Sequence, residues 1–378
     1  MLVAKPLLIA AALGAFLGIP GSAGAGDSWL VVTPRPAEPY ILTSGSQREC
    51  MVALDVKNRS DRRVCVAAMR VTYLEGESVV GVLESGSELF VRAGLDSDPA
   101  LDAGAHATWG GMCLDPPSAK VDRVRFALDL VQRRGLRTIH APQSVDVVLR
   151  AKTAGFPLSL PIRGAWRVTQ GHTCETQHRR GRVGGEFAWD LVAINESGRS
   201  VSPSHAATHV NADTETFGRT IVSPVDGTVV DVVDGVPDNE GMTDFPRKSI
   251  VDEARDPKWI YGNHVVIDAG GGAYVLLAHL KRGSPRVKKG SVVRAGDSIA
   301  QAGNSGNTVD PHLHVQVMDG PDAASPDIAG IPAVFTDYIE IAAVGSGNGE
   351  VVRRRVASGD PPQGAVVLSP TTPGPLAR

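Results

Sequence analysis

The run His312-Leu313-His314-Val315-Gln316-Val317 alternates a polar and an apolar side chain at every position. A period of two is satisfied by an extended strand and by no helix. Successive side chains on a strand point to opposite faces, so His312 and His314 emerge together on one of them. Two imidazoles on one spot are costly to dehydrate unless something uses them, and a metal ion bound by neutral imidazole is the common use.

The rest of such a site can be sought upstream. The apolar run Ala273–Leu280 places His279 near the end of a strand. The segment that opens on Glu186 and runs to Ile194 carries one carboxylate in its interior, Asp190, inside an otherwise apolar strand, an expensive residue to bury unless it is paired or bound to a metal. His178 lies before it, across a loop rich in Gly and Arg. Three protein ligands and an open position are what a catalytic zinc needs, and this set supplies them with two histidines left over.

These residues fall among further landmarks. Val222-Ser-Pro-Val-Asp-Gly-Thr-Val229 reads as a turn entering a strand, Tyr261-Gly-Asn-His-Val-Val-Ile267 as a strand, and Val292–Gly306 as a glycine-punctuated hairpin. The ordered series His178, Asp190, His279, His312-Leu313-His314, with these landmarks between, resembles the lysostaphin-type (LytM-type) zinc metallopeptidases from about Trp166 to about Phe335.

The resemblance implies a duplicated-hybrid-motif β fold and zinc-dependent hydrolysis of peptide bonds, in the cross-links or stems of bacterial peptidoglycan. It implies His178, Asp190 and His314 as zinc ligands. It gives His279 and His312 catalytic roles, orienting or deprotonating the metal-bound water and stabilising the oxyanion. Many members place the first ligand four residues before the aspartate; here the gap is longer, and His172, after Gln170-Gly171, competes with His178. The nearer residue, on a loop able to deliver it, is preferred. A structural reading of Asp190 would pair it with Arg179 or Arg180. His205 and His209, four apart with Asp213 beyond, mimic a helical zinc motif but lack the glutamate that would act as base, and are left out of the site. Two other functions fit the same fold: a non-catalytic envelope protein that binds peptidoglycan or activates a hydrolase, and a secreted protease acting on Gly-rich proteins.

Organisation along the chain agrees with an all-β protein. Forty-two glycines and 26 prolines in 378 residues favour turns and short strands over long helices. Residues 1–25 read as a signal peptide: Lys5, the apolar stretch Pro6–Leu17, and the small residues Ala23-Gly24-Ala25 at the cleavage site. No later segment is long and apolar enough to span a membrane, so a periplasmic or secreted location is expected. Residues 27–152 read as an immunoglobulin-like β-sandwich with strands near Cys50–Lys57, Arg63–Tyr73, 88–91, Val124–Leu130 and Ser144–Leu149. Residues 153–340, the metallopeptidase region, hold eight of the ten histidines. Two insertions, 195–220 and 236–259, read as binding loops or surface decoration.

A net charge of −3 argues against nucleic acid as a partner. Of four cysteines, Cys50, Cys65 and Cys113 lie in the N-terminal region, where one bridge among them is expected; Cys174 could make a zinc half-site with His178, a role the Asp190 set already fills. Residues 345–378, rich in Gly and Pro with Arg353–Arg355 in their midst, read as a flexible, solvated tail.

Overall fold

The structure, a computed structural model, describes residues 28–35, 39–44, 47–84, 100–151, 155–172, 178, 184–201, 210–240, 260–323, 325, 328–343 and 351–370. The expected signal peptide, the 88–91 strand, Cys174, Arg179, Arg180, His205 and His209 lie outside these residues. The chain is all-β; among the described residues the only named helical element is the short 3-10 turn Asn211–Asp213. No described helix is long and apolar enough to cross a membrane.

Up to residue 151 the strands form two sheets. One joins Leu30–Arg35, Tyr40–Ser44, Gln47–Asn58, His106–Leu114 and Arg150–Ala151; the other joins Val64–Glu75, Ser78–Glu84, Ala100–Leu101, Arg123–Arg134 and Arg137–Val148. Both contribute to one apolar cluster, with Leu54 and Trp109 from the first and Met69 and Phe126 from the second. In Arg123–Arg134 every second residue is buried from Val124 to Gln132, the period expected of a strand with one face on a core.

A second cluster, around Trp166, Trp189, Val265, Val315 and Phe335, lies under the sheet that carries the site. In that sheet the strands Ala165–Gln170, Trp189–Ala193, Leu313–Met318 and Tyr274–Leu280 are consecutive antiparallel neighbours, followed by Asn263–Asp268 and Gly227–Val233. The register aligns Gln170 with Asp190, Asp190 with His314, and His314 with Ala278. Residues in register share a face, so one row of cross-strand partners brings an amide, a carboxylate and an imidazole together on the face turned away from the large core.

The expected flexible tail is corrected. Val351–Gly359 pairs antiparallel with Ala333–Ala343, and Val366–Leu368 lies between that strand and Ala165–Gln170. Gly and Pro dominate the segment's composition, but Val366-Val-Leu368 is locally a strand, and Val367 is fully buried. Two of the three consecutive arginines are neutralised across the pair, Arg354 by Glu340 and Arg355 by Asp337. The expected bridge among the first three cysteines is also corrected: neither Cys50 nor Cys65 is in a disulfide, so the disulfide of Cys113 is to neither of them. Cys50 is buried in the apolar cluster, where the thiol packs as a small hydrophobic side chain.

Candidate metal centre

His178, Asp190 and His314 converge, with one potential ligand atom from each lying within 4.8 Å of the others. Asp190 is the hub. Its Oδ1 lies 3.0 Å from His314 Nδ1 and 3.4 Å from His312 Nε2, and its Oδ2 lies 3.2 Å from His178 Nε2. Gln170 Nε2 donates to Oδ2 at 2.9 Å. Asp190 and His314 are each only 4% exposed. An apolar strand brings Asp190 here because Trp189 and Leu191, its alternating neighbours, fill the core on the opposite face.

His279 required a local break in the strand. Ala278 is the residue in register with His314, so regular pleating would point the next side chain into the core. His279 instead has φ of 57°, the left-handed conformation rare for a residue with a Cβ. That turn places its ring on the same side as His312, with centroids 4.6 Å apart. Strain of this kind costs on the order of 1–3 kcal/mol and persists where the surroundings hold it. Here Gly303 N donates to His279 O, and His279 Nδ1 lies 2.8 Å from Ser305 O.

Hydrogen bonds set the protons on the rings. Carbonyl oxygens only accept, so His279 carries its proton on Nδ1 toward Ser305 O, and His312 carries one on Nδ1 toward Asp310 O at 2.8 Å. His314 Nε2 lies 2.9 Å from Gln316 Oε1, and Gln316 Nε2 donates to the Met318 thioether. A thioether offers no proton, which fixes the amide with its oxygen toward the ring. His314 protonated on Nε2 then keeps its Nδ1 lone pair available as a ligand, on the side where Asp190 Oδ1 also offers one. Gln170 and Gln316 are site residues the sequence reading missed. Gln316 was legible, two residues after His314 on the same face of the strand; Gln170 was not, because it alternates with the core residues Trp166 and Val168 and reaches the site face only through a register shift after Val168.

Electrostatics separate the rings. Burial, reinforced by His312 and His314, pushes His279 well below the usual histidine range. Burial also lowers His314. It opposes charge on His312 as well, but the adjoining Asp190 carboxylate outweighs it and raises that ring. For Asp190 burial favours the neutral acid, and the charges of His312 and His178 overcome it, holding the carboxyl well below its ordinary value. A buried carboxylate encircled by imidazoles requires a positive charge.

The donor set fits zinc: two imidazole nitrogens and one carboxylate oxygen. All three residues line a cleft of about 590 Å³ that also reaches Tyr261, Thr308 and Val309. His172 is not in this group. Its Nδ1 lies 2.9 Å from Asp360 Oδ2, its ring packs on Trp189, and Trp189 Nε1 donates to Asp360 Oδ1. Asp213 accepts from Val210 N at the start of the short 3-10 turn.

Residues 204–326 match peptidase family M23, a span that includes His279, His312 and His314 but begins after His178 and Asp190. No curated protein matches the chain. Among solved structures it is similar to the catalytic domain of the prophage-encoded M23 protein EnpA from Enterococcus faecalis, at 17% identity over 44% of this chain and 88% of that one, with a TM-score of 0.26. It is similar to the catalytic domain of the antimicrobial peptidase lysostaphin from Staphylococcus simulans, at 16% identity over 43% of this chain and 85% of that one, TM-score 0.24. A zinc containing peptidase from Vibrio cholerae is 13% identical over 73% of this chain and 80% of that one, TM-score 0.24. By its family match over residues 204–326, the chain carries a domain of peptidase family M23.

Proposed function

We propose that this protein is an exported zinc-dependent endopeptidase that cuts peptide bonds in peptidoglycan. The observation that carries the reading is the convergence of His178, Asp190 and His314 beside a cleft that also presents His279 and His312. His178, Asp190 and His314 would hold the ion. When bound, zinc lowers the pKa of a water and polarises a carbonyl.

The chain's own residues divide the proton work. His279, neutral and with its proton committed to Ser305 O, offers Nε2 as a base. His312, whose protonated form Asp190 favours, is suited to hold a proton, to stabilise negative charge on the carbonyl oxygen, and to deliver the proton to the departing amine. Two titratable groups driven in opposite directions by their surroundings are the pattern of an acid and base pair. Gln316 orients His314, and Gln170 orients Asp190. The N-terminal sheets serve as an accessory unit; Tyr40 meets Phe187 edge to face, and Phe187 in turn meets His172.

Zinc-loaded protein is incubated with purified peptidoglycan, and the released fragments are identified by mass spectrometry. Fragments with new peptide termini are expected. Intact peptides after exhaustive incubation of a zinc-loaded sample would leave a binding protein in place of the enzyme.

A further inference from the structure

The loop Gly303–Thr308 stands between the two histidines outside the ligand set and the described parts of both insertions. On its inner side Ser305 O accepts from His279 Nδ1, Gly303 N donates to His279 O, and Thr308 Oγ1 lies 3.1 Å from His312 Nδ1. Its outer side is held by asparagines. Asn239 Nδ2 donates to both Gly306 O and Thr308 O at 2.9 Å, spending both hydrogens of one amide on the carbonyls either side of Asn307, which lines the cleft.

Asn239 is itself held by a closed cycle of three hydrogen bonds. Asn211 Nδ2 donates to Asn239 O, Asn239 N donates to Asn304 O, and Asn304 Nδ2 donates to Asn211 Oδ1. Asn304 is fully buried. Asn211 comes from one insertion and Asn239 from the other. Loop backbones need hydrogen-bond partners, and asparagine commonly supplies them. Surface decoration would not, however, bring side chains from two distant segments onto the one loop that fixes His279's proton.

We infer that Asn239 is a positioning residue, and that Asn211 and Asn239, from the described parts of the two insertions, brace the 303–308 loop so that His279 and His312 face the cleft in working orientation. This rests on the peptidase reading above. It assigns the insertions a role in turnover, distinct from holding the metal, since none of these contacts reaches His178, Asp190 or His314.

The test is Asn239→Asp in the full-length protein. The change keeps the side chain's shape and turns both donors into acceptors facing carbonyls. With a soluble cross-link peptide as substrate, kcat is expected to fall about 10- to 100-fold, the cost of misplacing catalytic groups by about 1 Å. KM should stay within about threefold, and zinc content should be unchanged. In a His279→Ala background the same substitution should cost less than it does in the wild type, because only its route through Thr308 to His312 is left. Asn211→Ala, which opens the cycle without touching the loop carbonyls, should shift kcat in the same direction by less, and it serves if Asn239→Asp does not fold. A readout independent of turnover is the solvent exchange of the His279 Nδ1 proton by NMR, expected to be faster in either variant. Unchanged kcat and unchanged proton exchange in a folded variant would overturn the inference, as would a loss of zinc matching the loss of rate. Wild-type protein that binds zinc but cleaves nothing would overturn the peptidase reading instead, with the proton exchange still reporting whether the brace acts on His279.

Discussion

At the residue scale, ligand and proton-handling residues should separate cleanly. If His178, Asp190 and His314 hold zinc as proposed, His314→Ala removes one of three protein ligands and is expected to lose both zinc and activity. His279→Ala should keep its zinc, because that ring is held by Ser305 and not by the hub carboxylate, while its rate falls about 10²–10⁴-fold. Elemental analysis beside steady-state kinetics checks both. His178→Ala should weaken zinc binding strongly, measured by competition with a chromophoric chelator, whereas His172→Ala should leave affinity near wild type, since its partner is Asp360. Gln316→Leu, which removes the acceptor for His314 Nε2, should cost about 10- to 100-fold in zinc affinity.

The same residues set a pH dependence in the metal-free protein. An unfolded histidine titrates near pH ~6.5. His279 and His314 have lowered folded values, so below that pH the unfolded chain binds more protons and stability falls toward acid. His312, raised, works the other way and adds stability below its folded value. Asp190, depressed, contributes above the unfolded carboxylate value near ~3.9 and loses that contribution as pH drops through its folded value. Denaturant unfolding from pH 7 to 5 should show declining stability, with a shallower slope in His279→Gln and a steeper one in His312→Gln. Parallel slopes in all three proteins would assign the decline to other groups.

At the element scale, two substitutions probe the joints. Gly262 has φ of 58°, and a Cβ there would collide with the Ser305 backbone, so Gly262→Ala strains the chain and moves the carbonyl that receives His279's proton. A loss of more than about 2 kcal/mol is expected in urea unfolding, with activity falling further than stability explains. Leu368, 3% exposed on the last strand, pairs with Ala165 and Ile339. Leu368→Ala should cost about 2–5 kcal/mol. A free tail would give no change, and the chevron or melting curve decides.

At the scale of the whole molecule, strand alternation and motif order made much of the protein legible. The His312-x-His314 period predicted a shared face, and the structure gives both rings to one cleft. The lone carboxylate in an apolar run pointed to a buried partner-rich site, and Asp190 has four. His279 was named from its place at a strand end, but its left-handed backbone was not foreseeable, because it depends on the Ser305 loop closing over it. The C-terminal strands were missed for a related reason. Composition averages over a segment, whereas Val366–Leu368 is held by two strands far away in sequence. Cys113 shows the same limit: nearness along the chain did not choose its bond.

The pairing of Ala165 with Leu368 orders events in time. Contacts between distant parts of a chain form late, because loop closure must be paid before pairing rewards it. The strand bearing Gln170 emerges from the ribosome well before its outer neighbour, Val366–Leu368. Until then Trp166 and the edge leading to Asp190 lack one flank. Synthesis of the chain and completion of the sheet that carries the candidate metal centre are thereby coupled, and a nascent chain arrested before Val366 would carry every histidine of the site without a finished frame to hold them.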